Sequence, residues 1–122
     1  MKRPDGIILS VLGYKLTSEE SVFFKRTNPL GFVLFSRNFK NKAQISNLVK
    51  SLKLITKNKS VLIFIDQEGG KVQRLKNKEF TKFPPQSVFG DVYKSNKSES
   101  KKLSYLTAYL LAYELKLVGI DI

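Results

Sequence analysis

The sequence contains neither cysteine nor histidine. The first absence excludes a disulfide framework, a thiolate nucleophile and a thiolate metal site. The second removes the commonest general acid/base side chain, so the chain cannot supply a histidine for proton transfer. Long apolar runs are also missing. Ile7–Leu9, Phe32–Phe35 and Val61–Ile65 fall far short of the roughly 18 residues that a membrane span needs. Met1-Lys2-Arg3 is basic, but Pro4 and Asp5 interrupt the approach to the apolar run Gly6–Leu12 and no small-residue cleavage site follows. No signal peptide is read there, and the expected location is cytoplasmic. Arginine is scarce: only Arg3, Arg26, Arg37 and Arg74 among 22 basic residues. A formal charge of +12 raises nucleic-acid binding as a reading, yet base readout favours arginine. The lysines lie mostly on predicted helix surfaces and in one loop, without interleaved exposed aromatics. A solvated lysine-rich surface accounts for the charge, and neither a nucleic-acid nor a membrane partner is expected.

What is present suffices for a core. With 42% hydrophobic residues in 122, the chain is in the range of one domain, and wholesale disorder is not expected. Gly6–Leu12 is short, apolar and rich in branched residues, and reads as a buried strand. Thr17 and Glu20 then have the spacing of a capping box, predicting a short helix with Val22, Phe23 and Phe24 that ends before Pro29. Leu30–Phe35 is a second strand. Asn41 and Gln44 form a second capping pair, and Ile45, Leu48, Val49, Leu52 and Ile55 make one helical stripe. Lys50, Lys53 and Lys57 lie off it, as an outer helix requires. Ser60–Ile65 is the third strand.

A long segment from Asp66 to about Ser95 reads as loop, and loops beyond roughly 12–15 residues are usually functional or disordered. The next helix is predicted to start at Asn96, with Glu99 in the capping position. Its expected core face carries Leu103, Leu106, Leu110, Tyr113 and Leu117. Val118–Ile122 reads as the opening of a fourth strand. Apolar strands alternating with one-faced helices indicate an α/β fold with a parallel sheet. An open doubly wound sheet and part of a (β/α)8 barrel both fit. No Gly-x-Gly-x-x-Gly follows the first strand, so a dinucleotide fold gains no support. A barrel needs about 250 residues, of which this chain supplies about half.

The chemistry concentrates in Asp66-Gln-Glu-Gly-Gly-Lys-Val-Gln-Arg74, which begins where the third strand ends. In both parallel architectures ligands bind at that edge of the sheet. A carboxylate accepts two hydroxyl hydrogen bonds and a guanidinium donates in a planar fork, so Asp66 and Arg74 suit the hydroxyls of a sugar ring. A salt-bridged turn that only shapes the loop fits them equally well. Asp66 and Glu68 are not read as a glycosidase acid pair. A retaining pair flanks the scissile bond at about 5 Å from opposing sides, and two residues this close approach from one side. Glu68 is instead expected to fix the turn through backbone amides. With no His or Cys and no spaced calcium loop, no metal is expected. A phosphate-cradling Gly-x-x-x-x-Gly-Lys-Ser/Thr is absent, and no cofactor is expected.

Asp66-Gln-Glu-Gly-Gly-Lys-Val-Gln-Arg-Leu75 resembles the signature of bacterial family-3 β-N-acetylglucosaminidases. Gly31-Phe-Val-Leu-Phe-Ser-Arg-Asn38, Phe83-Pro84 and Leu117-Val-Gly-Ile-Asp121 resemble further motifs of that family, in the same order. The resemblance implies a partial (β/α)8 barrel, about the first four strands and three helices. Residues 1–122 would form the N-terminal half of the catalytic domain, stopping at the start of strand four. It implies removal of terminal β-linked N-acetylglucosamine with retention of configuration, in the cytoplasmic recycling of peptidoglycan fragments. Asp66 and Arg74 would bind the sugar hydroxyls, with Lys71 standing where the family more often has arginine.

The family's acid/base histidine, its assisting aspartate and its nucleophilic aspartate would all lie beyond this chain, so no catalytic residue is assigned. The chain alone is expected to be inactive and, with open sheet edges, to aggregate or pair unless a complementary chain supplies the rest. A non-catalytic carbohydrate-binding or interaction fragment is the alternative reading, and a basic nucleic-acid-binding protein a third.

Overall fold

The computed structural model describes residues 3–122; Met1 and Lys2, part of the basic N-terminal run, lie outside the described residues. Three strands, β1 (Asp5–Ser10), β2 (Pro29–Leu34) and β3 (Leu62–Ile65), form one parallel sheet in the order β1-β2-β3. Helices α1 (Ser18–Thr27) and α2 (Lys42–Ile55) make the crossovers. The chain then forms a small hairpin, β4 (Gln67–Gly69) and β5 (Val72–Gln73), followed by α3 (Ser87–Ser95) and α4 (Lys97–Leu117).

Local sequence explains where the helices begin. Glu20 N donates to Thr17 Oγ1 at 3.1 Å, and Thr17 N donates to Glu20 Oε2 at 3.0 Å, a complete capping box. Asn28 closes α1 in the left-handed region at φ 50°, a conformation asparagine tolerates better than most residues. Asn41 Oδ1 accepts from Gln44 N at 2.9 Å at the head of α2. The Gln44 carbonyl oxygen reaches back to Lys40 N, one residue before the expected cap. Asn96 caps α4 by accepting from Glu99 N.

Packing puts the helices on one face of the sheet. Ile45, Leu48, Val49 and Leu52 of α2 are buried against Phe32, Leu34 and Ile63, and each such burial stabilises by about 1.5–3 kcal/mol. The register pairs Phe32 with Ile63 and Leu34 with Ile65. Because side chains alternate across a strand, Gly31, Val33, Leu62 and Phe64 belong to the opposite face. Gly31 is required there: a Cβ would stand 2.6 Å from both the Leu62 carbonyl and the Phe64 ring. Among the described residues no helix covers that face, and Ile8, paired with Gly31, is 47% exposed.

Two expectations are corrected. The segment from Asp66 to Ser95 is not one loop, since it holds the β4–β5 hairpin and α3, an additional helix. The expected core stripe of α4 is exposed: Leu106, Leu110, Tyr113 and Leu117 are 42–54% accessible. Ser100 and Leu115, turned by roughly 100° or more from that stripe, are buried instead. This helix is apolar on more than one side, and periodicity cannot say which side this chain covers. The expected opening of a further strand at Val118–Ile122 is met: Ile122 N donates to Ile63 O while Ile65 N donates to Ile122 O. That alternation is parallel pairing opposite Phe64, so a fourth strand opens beside β3. Among the described residues no helix is long and apolar enough to cross a membrane.

Candidate functional site

The strand ends β1, β2 and β3 put Val11, Phe35 and Asp66 on one rim of the sheet. The register Leu34↔Ile65, carried on by one residue, places Phe35 beside Asp66 on the face that the helices leave open. Beyond Asp66 the chain folds back at once. Gln67 pairs with Gln73 and Gly69 with Val72, and the turn takes φ 95° at Gly69 and 58° at Gly70. Glycine is needed at Gly69, where a Cβ would collide with the Pro84 carbonyl and the backbone is left-handed.

The fold-back returns Arg74 to Asp66. Arg74 Nη2 donates to Asp66 Oδ2 at 3.2 Å, with side chains 30% and 52% exposed. The two residues singled out in the sequence are therefore brought together, part-exposed, on the rim. At this exposure the pair contributes only about 0–1 kcal/mol to stability.

Two buried glutamines hold the hairpin in place. Gln67 Oε1 accepts from Arg74 N at 2.8 Å and Leu75 N at 3.1 Å. Gln73 Nε2 donates to Leu75 O and Thr81 O, while its Oε1 accepts from Phe83 N. Sequence reading gave this task to Glu68. Glu68 is exposed, and the group that binds there is its backbone carbonyl, which accepts from Gln86 Nε2 at 2.8 Å. The signal was available: a glutamine stands on each side of Gly69-Gly70, where a hairpin pairs them. An uncharged amide both donates and accepts, which suits a buried turn better than a carboxylate.

A second guanidinium stands on the same rim. Arg37, in the 3-10 turn Ser36–Asn38, donates from Nε to Val11 O at 3.0 Å and lies over the Phe35 ring at 4.7 Å. Asn38 is fully buried and anchors that turn, donating to Val11 O and Gly13 O and accepting from Phe35 N. Next to the hairpin, Gly70, Gln73, Lys76, Asn77, Phe80 and Lys82 line a cavity of about 330 Å³. Its outer loop is tied to α2 by Glu79, which accepts from Lys42 N and Asn77 Nδ2, both at 2.9 Å. The Lys42 amide first, and then the Asn77 side chain, hold the Glu79 carboxyl below the usual carboxylate range. A larger cavity, about 740 Å³, lies between α1, the loop before it and α2. Its lining of Leu16, Leu48, Ile55 and polar groups, with Lys15 as the charged one, holds no carboxylate–guanidinium pair like that of the rim.

The sequence matches the Glycosyl hydrolase family 3 N terminal domain over residues 6–122. The chain belongs to glycosyl hydrolase family 3. A beta-hexosaminidase of Bordetella avium (strain 197N) is 33% identical over 118 residues, covering 97% of this chain and 33% of the relative. A beta-hexosaminidase of Actinobacillus pleuropneumoniae serotype 5b (strain L20) is 38% identical over 116 residues, covering 95% of this chain and 33% of its own length. Among solved structures, NagZ from Neisseria gonorrhoeae in complex with N-trifluoroacetyl-D-glucosamine superposes with a TM-score of 0.89 at 31% identity. That match covers 96% of this chain and 34% of the other. The chain thus spans about a third of the length of the curated relatives it matches. Its α/β fold is the partial barrel expected from the family-3 resemblance.

Proposed function

We propose that residues 1–122 are the N-terminal part of a family-3 catalytic barrel and supply one wall of a site for terminal β-linked N-acetylglucosamine. Asp66 accepts hydrogen bonds from the sugar hydroxyls, and Arg74 donates to their oxygens. The observation that carries this reading is the part-exposed Asp66–Arg74 pair at the C-terminal end of β3, the edge where parallel α/β folds bind ligands. Relatives named beta-hexosaminidase and a NagZ structure holding an N-acylglucosamine analogue support the same sugar. The activity of the whole protein would be hydrolysis of that linkage, on peptidoglycan fragments in the cytoplasm. This placement rests on the family likeness.

The covalent step needs groups outside these residues. There is no histidine in the chain, and Asp66 is held by Arg74 on the sugar-binding rim. The chain alone binds without turning over, and a complementary polypeptide with the remaining strand–helix units would complete the enzyme. The same lack of histidine favours, as a second reading, a carbohydrate-binding fragment with no catalytic role. Saturation-transfer NMR with phenyl β-N-acetylglucosaminide tests the shared premise. The wild-type chain is expected to bind it and Asp66→Ala is not; equal binding by both would remove Asp66 from the site.

A further inference from the structure

The hairpin that leads to Arg74 rests on residues 81–85, a segment without regular secondary structure. Phe83 O accepts from Gly70 N at 2.9 Å, and the Pro84 carbonyl lies where a Cβ on Gly69 would stand. Gln73, inside the hairpin, donates to Thr81 O at 2.7 Å and accepts from Phe83 N at 3.1 Å. Where residues 81–85 go, Gln73 and the turn go too. Phe83 is buried and keeps the segment against the core, but apolar burial is non-directional and fixes no register. Direction comes from hydrogen bonds. Among the described residues one side chain outside the hairpin supplies them to this segment. Glu114 of α4 accepts from Thr81 Oγ1 at 2.6 Å and from Thr81 N at 3.1 Å. It is the only acidic residue of α4 beyond the first turn.

We propose that Glu114 is a positioning residue for the sugar site: from α4 it sets, through Thr81 and Gln73, the stance of the hairpin and so the approach of Arg74 to Asp66. This rests on the sugar site proposed above. The path is continuous. Glu114 holds Thr81, Thr81 O holds Gln73, and Gln73 pairs with Gln67, whose side chain receives Arg74 N. A binding group is useful only when the shell behind it fixes its geometry. Glu114 makes no ion pair among the described residues, and its charge is not what the contact requires. Its Oε1 alone stands 2.6 Å from Thr81 Oγ1 and 3.3 Å from Thr81 N, so one amide oxygen in its place receives both donors.

The test measures affinity for phenyl β-N-acetylglucosaminide by saturation-transfer NMR on the whole chain, beside the urea midpoint of each variant. Glu114→Ala should weaken binding about tenfold, and Thr81→Val, which removes only the hydroxyl, roughly threefold. Glu114→Gln keeps the accepting oxygen and should bind as wild type does. Ser100→Ala is the control. It removes another side-chain hydrogen bond of α4, to Phe89 O at 2.6 Å, away from residues 81–85, and should lower the midpoint without changing affinity. A proton–nitrogen spectrum reads Arg74 itself. Its Nε is shielded from solvent, so the Nε–H signal should be sharp in wild type, lost to exchange in Glu114→Ala and restored in Glu114→Gln.

Wild-type affinity and an unchanged Arg74 signal in Glu114→Ala overturn the proposal. An equal loss of affinity in Ser100→Ala also does, because it marks Glu114 as a general support of α4. If Glu114→Ala does not fold, Thr81→Val decides: affinity and signal both unchanged sink the idea. Weak binding by Glu114→Gln would show that the carboxylate acts by its charge, against the positioning role. Asp66→Ala separates the two readings. If it binds as wild type does, or if wild type binds nothing, the sugar site is misassigned. The Arg74 signal then decides alone: its loss in Glu114→Ala leaves the tether standing, and its persistence removes that too.

Discussion

Arg74 reaches Asp66 only because the chain reverses between them, with Gln67 Oε1 receiving the backbone N–H of Arg74 at 2.8 Å. Each end of the ion pair is thereby fixed by its neighbour: Asp66 ends β3, and Arg74 is hung from the side chain next to Asp66. Asp66→Asn keeps the shape and removes the charge. Since the pair is part-exposed, unfolding by urea should change by no more than about 1 kcal/mol. Binding of phenyl β-N-acetylglucosaminide should nevertheless be lost. A large stability loss would mean that the pair serves the fold.

Gln67→Ala should behave in the opposite way. It leaves the buried N–H of Leu75 and the part-buried N–H of Arg74 without an acceptor, at a cost of about 1–3 kcal/mol. Denaturant midpoints read this directly. A shift within 0.5 kcal/mol, the range of an ordinary surface change of about that size, would show that the hairpin is held elsewhere.

Much of this arrangement was legible from the sequence, and the failures share a cause. The capping pairs at Thr17 and Asn41 and the stripe of α2 are local, so spacing alone located them. Asp66 and Arg74 were singled out by their place at the end of the third strand and by their hydrogen-bonding chemistry, and the fold-back brings them within 3.2 Å. The scaffold glutamines were missed because their role depends on pairing across the hairpin, which assigns Gln67 to Gln73 and turns both inward. Glu68 looked suited to the turn only while its exposure was unknown. The α4 stripe failed for a different reason: amphipathic spacing reports that a face is apolar, whereas burial depends on what the surrounding chain brings to it.

The acid side of the stability curve should depend on Glu79. Its folded carboxyl titrates below the usual range because the Lys42 amide and the Asn77 side chain bond to the charged form. A lowered folded pKa gives stability that is fully present above the unfolded value and disappears as pH falls through the folded one. Glu79→Gln should therefore flatten that part of the curve below about pH 4.5 and leave the neutral region with a nearly constant offset. An acid limb identical to wild type would rule the contact out as a source of pH dependence.

The exposed flank of α4 should govern self-association. Leu106 and Leu110 are 50% and 42% accessible and touch no covering element among the described residues. Replacing both with lysine removes apolar surface that water already meets, so folding should change by about 0.5 kcal/mol or less per site. Sedimentation should show the chain less associated than wild type. A marked loss of folded structure would place this flank in the core after all.

The central claim is that these 122 residues provide the sugar-binding wall of a glycosidase and leave its covalent chemistry to the rest of the barrel. Hydrolysis of an aryl β-N-acetylglucosaminide tests it most directly, with the chain alone and with a polypeptide carrying the remaining strand–helix units of the barrel. The account predicts turnover only in the mixture, abolished when the chain carries Asp66→Ala. Turnover by the chain alone, or a mixture indifferent to Asp66→Ala, would contradict it.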